Sequence, residues 1–306
     1  MKIGYFADGP WSHLAFEKIN QDESLEISFI VPRTDTSDFT LRKYAEEFDI
    51  AYLSNSKVNS PEFLERATSF DCDLFVSMSF NQIFRKRITN LPRLKTINCH
   101  AGKLPFYRGR NILNWVLIND EKEFGITVHY IDEGIDTGDI LLQRSFPITD
   151  EDDYSTLLQV SHSECANILY DAIKLIQRDE HKPVNQKTIH PIGNYFGVRT
   201  FGDEVIDWST SSRHIFNFIR AICAPGPKAR TFLGNEEVFI NKAEIIDSAP
   251  NYINTTGQIV GKNDRGIVVK TGTSTILITD YASIAKLKVG DRLHGPICNC
   301  DPKKAT

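Results

Sequence analysis

Asn98 and His100 stand two residues apart in Thr96-Ile97-Asn98-Cys99-His100, and a carboxylate, Asp136, follows inside Gly134-Ile135-Asp136-Thr137-Gly138. An amide donor, an imidazole that shuttles a proton and a carboxylate that orients it suit acyl transfer to an amine. Such a reaction needs a donor where the carbonyl oxygen gains charge, and one donor is worth about 2.7–4 kcal/mol of barrier in comparable sites. Residues 96–99 form a short β-branched run. In a strand, side chains two residues apart face the same side, so Asn98 and His100 address one centre. Each residue alone has an ordinary use. An Asn at a strand end satisfies loop backbone, and an acid in a turn caps its own loop. The three together point to catalysis.

Around this core lies a second set of polar residues, in Lys103-Leu104-Pro105-Phe106-Tyr107-Arg108-Gly109-Arg110-Asn111. Arg grips phosphate oxygens bidentately, which suits a sugar nucleotide and a tRNA end equally well. Lys103, Tyr107, Arg108 and Asn111 therefore make the expected acceptor-binding set. Trp11, in the loop after the first strand, joins them as a candidate to meet a nucleotide base. His129, in Gly125-Ile126-Thr127-Val128-His129, is expected to support the site from a half-buried strand.

The elements that must hold these residues follow from periodicity. Residues 2–6, 25–31 and 73–77 are short buried strands, with helical spacing between them, as in Leu41, Tyr44, Ala45 and Phe48. That alternation is the mark of a parallel sheet. Open sheets of this kind bind ligands at the carboxyl ends of their strands, where Asn98 and His100 lie. The first turn lacks G-x-G-x-x-G, so no nicotinamide cofactor is expected. Residues 111–118 start a helix, 124–130 alternate as a strand and 156–177 make a long amphipathic helix. Residues 181–203, broken by Pro and Gly, are expected to be a linker. Beyond them come a helix on Ile215, Phe218, Ile219 and Ile222 and short strands near 237–245, 257–260, 266–270 and 274–280. These make a small β-rich module, most simply a partly open barrel. The expected division is a catalytic domain over 1–200, linker included, and a C-terminal domain over 204–296.

Composition narrows the class. The chain has 306 residues, 41% hydrophobic and 25% charged, with a formal net charge of −5. It is long enough for two cores. No global basic field is available to hold a nucleic acid. The opening run is too short for a secretory leader and no eighteen apolar residues run together, so a cytoplasmic protein with no membrane contact is expected. Six cysteines are scattered without a disulfide framework. Only Cys298-Asn299-Cys300 is clustered, and without partner ligands no metal is expected.

The N-x-H, the L-P-x-Y-R-G and the D-T-G elements resemble those of the folate-dependent formyltransferases. Asp207-Trp208, Arg220-Ala221 and Pro225-Gly226-Pro227 extend the resemblance over nearly the whole chain, closest to sugar-nucleotide N-formyltransferases of the UDP-4-amino-4-deoxy-arabinose type. The resemblance implies a Rossmann-like domain with a parallel-rich sheet, a small OB-like domain after it, and N10-formyltetrahydrofolate as donor. It implies catalysis by Asn98, His100 and Asp136. It places Met78, Phe80 and Ile83 on a loop lining the pterin pocket, with Gly134 nearby and Asp132 either structural or facing the folate. The expected acceptor is the amine of a nucleotide-linked sugar, with a 4-amino-4,6-dideoxy sugar in first place, for surface polysaccharide or lipopolysaccharide synthesis. Methionyl-tRNA formyltransferase is the alternative. The acidic chain and the short loop after the first strand, free of any basic insertion, weigh against it. A homodimer is compatible with this reading.

Overall fold

The computed structural model describes residues 1–36, 39–54 and 56–296; the Cys298 and Cys300 pair lies outside them. The chain forms two compact units. The first comprises residues 1–112, 123–147 and 158–197, and the second comprises 113–122, 148–157 and 198–306. Two excursions of the chain therefore belong to the second unit, where a single boundary near residue 200 was expected.

In the first unit, β1 (Lys2–Ala7), β2 (Glu26–Val31), β3 (Ala51–Tyr52), β4 (Leu74–Met78) and β5 (Thr96–His100) are parallel strands. α1 (Pro10–Asn20), α2 (Phe39–Glu47), α3 (Pro61–Ser69) and α4 (Lys86–Thr89) connect them. Every residue of β1 after Lys2 is buried, as befits a central strand covered on both faces. α3 begins where Ser60 accepts a hydrogen bond from the Phe63 amide and Pro61 supplies the preset φ of a first turn. Phe6 anchors the core on one side of the sheet, its ring 5.2 Å from Phe75 and 5.1 Å from Phe84 by centroids. Short β6 (Arg108–Gly109) and the start of α5 (Ile112–Ile118) follow β5.

β7 (Glu123–Tyr130) and β8 (Ile140–Pro147) then join the sheet antiparallel, giving the order β3-β2-β1-β4-β5-β7-β8. Strand order reverses between β1 and β4, and the loops after these two strands flank that switch point. α6 (Tyr154–Gln177) is the long helix expected from the periodicity. Residues 184–197 depart from the linker reading. They carry α7 (Gln186–Ile189) and β9 (Tyr195–Phe196), and β9 pairs with β6. Bonds from the Asn194 amide to the Pro105 carbonyl at 3.2 Å and from the Arg110 amide to the Phe196 carbonyl at 3.0 Å strap this segment onto residues 105–110.

The second unit contains α8 (Ser212–Ile222), β10 (Ala229–Leu233), β11 (Glu236–Ile245), β12 (Ile259–Asn263), β13 (Gly266–Lys270) and β14 (Thr275–Ser283). The strands form one antiparallel sheet in the order β10-β11-β14-β13-β12. α8, capped by the Ser211 hydroxyl, buries Ile215, Phe216, Ile219 and Ile222. Asn263 turns β12 into β13 by accepting the amides of Arg265 and Gly266.

Candidate active site

β5 delivers Asn98 and His100 as its alternation requires. Ile97 and Cys99 are buried, while Asn98 and His100 on the other face are half-buried. The antiparallel register sets Asn98 opposite His129 and His100 opposite Thr127. His129 is 2% exposed. Its Nδ1 lies 2.8 Å from the Tyr130 carbonyl and so donates to it. Asn98 Nδ2 approaches its Nε2 at 3.3 Å, a contact that orients the Asn98 amide.

His100 is oriented by the chain that follows it. Its Nε2 donates to the Tyr107 carbonyl at 2.8 Å, and its Nδ1 lies 3.8 Å from Asp136 Oδ2. The tautomer is set by a backbone carbonyl, whereas the sequence argument gave that task to Asp136. The turn between them is itself braced: Thr127 donates to the Gly102 carbonyl at 2.6 Å, and Gln143 donates to Thr127 Oγ1 and to the Leu104 carbonyl.

Asp136 arrives from the loop between β7 and β8, with a φ of 54°. The Gly109 amide donates to its Oδ2 at 2.9 Å, and Oδ1 lies 3.5 Å from His129 Nε2. Burial pushes the carboxyl up, but His100, His129 and the Gly109 amide outweigh it and hold the group well below the usual carboxylate range. Asp136 is therefore an anion at neutral pH. Tyr107 and Asn111 also have positive φ, at 57° and 56°. Left-handed backbone at a non-glycine residue costs energy, least for Asp and Asn, and is kept where the surroundings fix it.

The expected acceptor residues divide by their surroundings. Lys103 pairs with Glu123. Arg108 sends Nε and Nη2 to Gln186 Oε1, at 3.1 and 2.7 Å, and Nη1 to the Ile192 carbonyl at 2.9 Å. The fork expected on phosphate braces the strap instead. The Tyr107 ring is 9% exposed and stacks on Phe196 with a centroid distance of 5.0 Å. Trp11 meets His162 edge-on at 4.7 Å, and Asn111 is exposed.

Of the expected donor residues, Met78 is buried at the end of β4 beneath the Tyr5 hydroxyl. Phe80 packs between Phe6 and Phe84, while Ile83 is 74% exposed. Asp132 accepts the Gly134 amide at 3.0 Å and the Thr137 hydroxyl, so it closes its own loop. A side chain at Gly134 would fall on that Thr137 hydroxyl. Among the described residues no group of three or more His, Cys, Asp or Glu is arranged to hold a metal ion. Gln186 went unnoticed in the sequence. No local pattern marks it, and only the fold brings it to Arg108.

A doubly wound sheet with an amide and an imidazole at the end of β5, met by an anionic carboxylate from the loop between β7 and β8, has the groups an acyl-transfer enzyme of the Rossmann-like class needs. Residues 15–173 match the formyl transferase family and residues 200–290 match the formyl transferase C-terminal domain. The chain belongs to the folate-dependent formyltransferase family. It is 33% identical to a methionyl-tRNA formyltransferase of Citrifermentans bemidjiense, over 82% of this chain and 77% of the relative. It is 30% identical to that of Fusobacterium nucleatum, over 91% of both. The fold is similar to that of the sugar 3N-formyl transferase WlaRD, solved with dTDP and 5-N-formyl-THF, with a TM-score of 0.67, 20% identity and coverage of 94% of this chain and 99% of that one. It is also similar to the N-formyltransferase of Helicobacter canadensis, solved with folinic acid and dTDP-3-aminofucose, with a TM-score of 0.70, 20% identity and coverage of 91% and 99%.

Proposed function

We propose that this protein moves a formyl group from N10-formyltetrahydrofolate to the amine of a nucleotide-linked amino sugar, and that Asn98, His100 and Asp136 carry the reaction. The observation that carries the reading is the meeting of these three groups at the end of β5, with Asp136 held as an anion 3.8 Å from His100 Nδ1. The donor supplies an activated formyl group on nitrogen. As the amine nitrogen bonds to the formyl carbon and the carbon–nitrogen bond to the donor breaks, charge passes through the formyl oxygen. An amide hydrogen of Asn98 is the donor for that oxygen. The amine must also lose a proton. Asp136 and His100 Nδ1 together form a base that can take it, directly or through a water, and return it to the leaving nitrogen.

In this reading Phe80 and Ile83, on the loop after β4, face the pterin, Met78 supports that loop from the buried end of β4, and Asp132 and Gly134 shape the loop that presents Asp136. Trp11, Lys103, Tyr107, Arg108 and Asn111 shape the acceptor side, Arg108 by bracing rather than by phosphate contact. The sugar amine is favoured over a tRNA-borne amine by charge. In the second unit Asp150, Glu151, Asp152 and Asp153 line, with Glu244 and Asp247, a cavity of about 560 Å³. Arg220 at its wall is occupied by the Thr149 and Asp152 carbonyls. Lys242 is the other cation of the lining, and six carboxylates against two cations disfavour a phosphate backbone, whose contacts dominate affinity for nucleic acid.

The second reading, methionyl-tRNA formyltransferase, is favoured by the sequence relatives, which match at 30–33% identity across both domains. Purified protein offered N10-formyltetrahydrofolate and a panel of UDP-, dTDP- and GDP-linked amino sugars should add one formyl group to at least one of them, read by mass spectrometry. No mass gain on any sugar would defeat the first reading. No described helix is long and apolar enough to cross a membrane.

A further inference from the structure

Gln186 is 1% exposed, and all of its polar capacity is engaged. Its Nε2 donates to the carbonyl of Asp136 itself at 2.8 Å and to the carbonyl of Gly138 at 2.7 Å. Its Oε1 accepts both the Nε and Nη2 hydrogens of Arg108. One amide thus links three things: the backbone of the loop that bears the catalytic carboxylate, the guanidinium that follows Tyr107, and the strap 184–197 on which Gln186 rides. Each link touches the geometry of the site. Asp136 has a left-handed φ of 54°, a conformation open to Asp but narrow, so bonds to its peptide fix where the carboxylate points. A donor on the Asp136 carbonyl fixes the peptide that follows. Arg108 is fixed at the residue between Tyr107, whose carbonyl orients His100, and Gly109, whose amide holds Asp136 Oδ2. Asn185 caps α7 by accepting the Lys187 amide and donates to Asp139 Oδ1 at 2.9 Å, so the base of the Gln186 side chain is itself secured.

We propose that Gln186 is a positioning residue for the formyl transfer: through its two donors it holds the Asp136 loop in the left-handed conformation that aims the carboxylate at His100. The proposal rests on the catalytic role given to Asp136 above. It predicts an effect on turnover without an effect on substrate binding, because Gln186 lies behind the loop and works through Asp136. A misplacement of about 1 Å in a reacting group can lower a rate about a hundredfold.

Two substitutions separate the donors from the acceptor. Gln186→Glu keeps an oxygen for Arg108 but loses both donors to the loop carbonyls, and Gln186→Met keeps the volume and loses every bond. Both should lower kcat about a hundredfold with the KM for each substrate within twofold of wild type. A second readout needs no substrate. Titration of the Asp136 carboxyl by carbon NMR in the full-length protein should show its midpoint moving up, toward the ordinary value, in both variants as the carboxylate leaves its partners. Wild-type kcat and an unmoved Asp136 midpoint in folded Gln186→Glu would overturn the proposal. So would loss of the native fold in both variants, which would make Gln186 a residue of the fold alone. If the wild-type protein formylates no amino sugar, the functional reading fails, and the Asp136 titration still decides the role of Gln186.

Discussion

Asn98 is oriented by His129 and, in the proposed reaction, offers an amide hydrogen to the formyl oxygen, so its removal should be felt as charge develops rather than as substrate binds. Asn98→Ala is expected to lower kcat about a hundredfold or more with the KM for the acceptor little changed, measured by steady-state kinetics. An equal rise in KM would mean that Asn98 binds ground state and transition state alike. Asp136 carries a pH signature. Its folded carboxyl titrates below the unfolded value of about 3.9, so the anion stabilises the native state above about pH 4. That contribution is lost as pH falls through the folded value. Asp136→Asn should therefore lack a part of the acid destabilisation seen in wild type between about pH 4 and 2, as read from denaturant unfolding curves. Superimposable pH profiles would remove the charge from Asp136. The three residues proposed for catalysis could be picked out in the sequence because strand spacing and motif coincide. His129 was legible only as a helper, and the register of β5 with β7 shows why it matters: it stands directly across from Asn98.

At the scale of elements, β5 and the turn after it determine what His100 can do. A side chain at Gly102 would fall on His100 Nε2 and on the Tyr107 carbonyl, the two partners of the bond that sets the tautomer. Gly102→Ala should then cost about 1–3 kcal/mol of stability through overpacking. It should also lower turnover by about a hundredfold through displacement of His100. Thermal melting and kinetics on the same preparation check both, and wild-type turnover in a destabilised variant would free His100 from this constraint. The parallel strands and the helices between them could be read because each is a local run with one period. The strap 184–197 could not. β6 and β9 are two residues each, without periodicity, and Arg108 and Gln186 meet 78 residues apart. Pro and Gly in that stretch spell a loop, and a loop pinned by non-local bonds looks the same in sequence as a free linker. β8 was missed for a related reason: its burial is mixed along its length, and no alternation marks it.

At the scale of the whole molecule, the division into units is carried by charges far apart in sequence. Arg213 bonds to both Asp120 and Asp150, across 93 and 63 residues, and Asn114 donates to the Ala221 carbonyl across 107. These bonds draw 113–122 and 148–157 into the second unit, which no composition shift along the chain announces. The same unit bears the carboxylates of 150–153, and with the net charge of −5 they oppose a polyanion, which is the argument for a sugar-borne rather than a tRNA-borne amine in the function proposed above. The choice of acceptor is therefore the central claim, and competition addresses it directly. With N10-formyltetrahydrofolate limiting, and the best amino-sugar nucleotide and methionyl-tRNA present together at equal concentration, the formyl group distributes in the ratio of the two kcat/KM values. The account predicts formyl on the sugar amine in excess of that on the tRNA by at least about a hundredfold, a difference in barrier of about 2.7 kcal/mol. Formyl found chiefly on the methionyl-tRNA would contradict it.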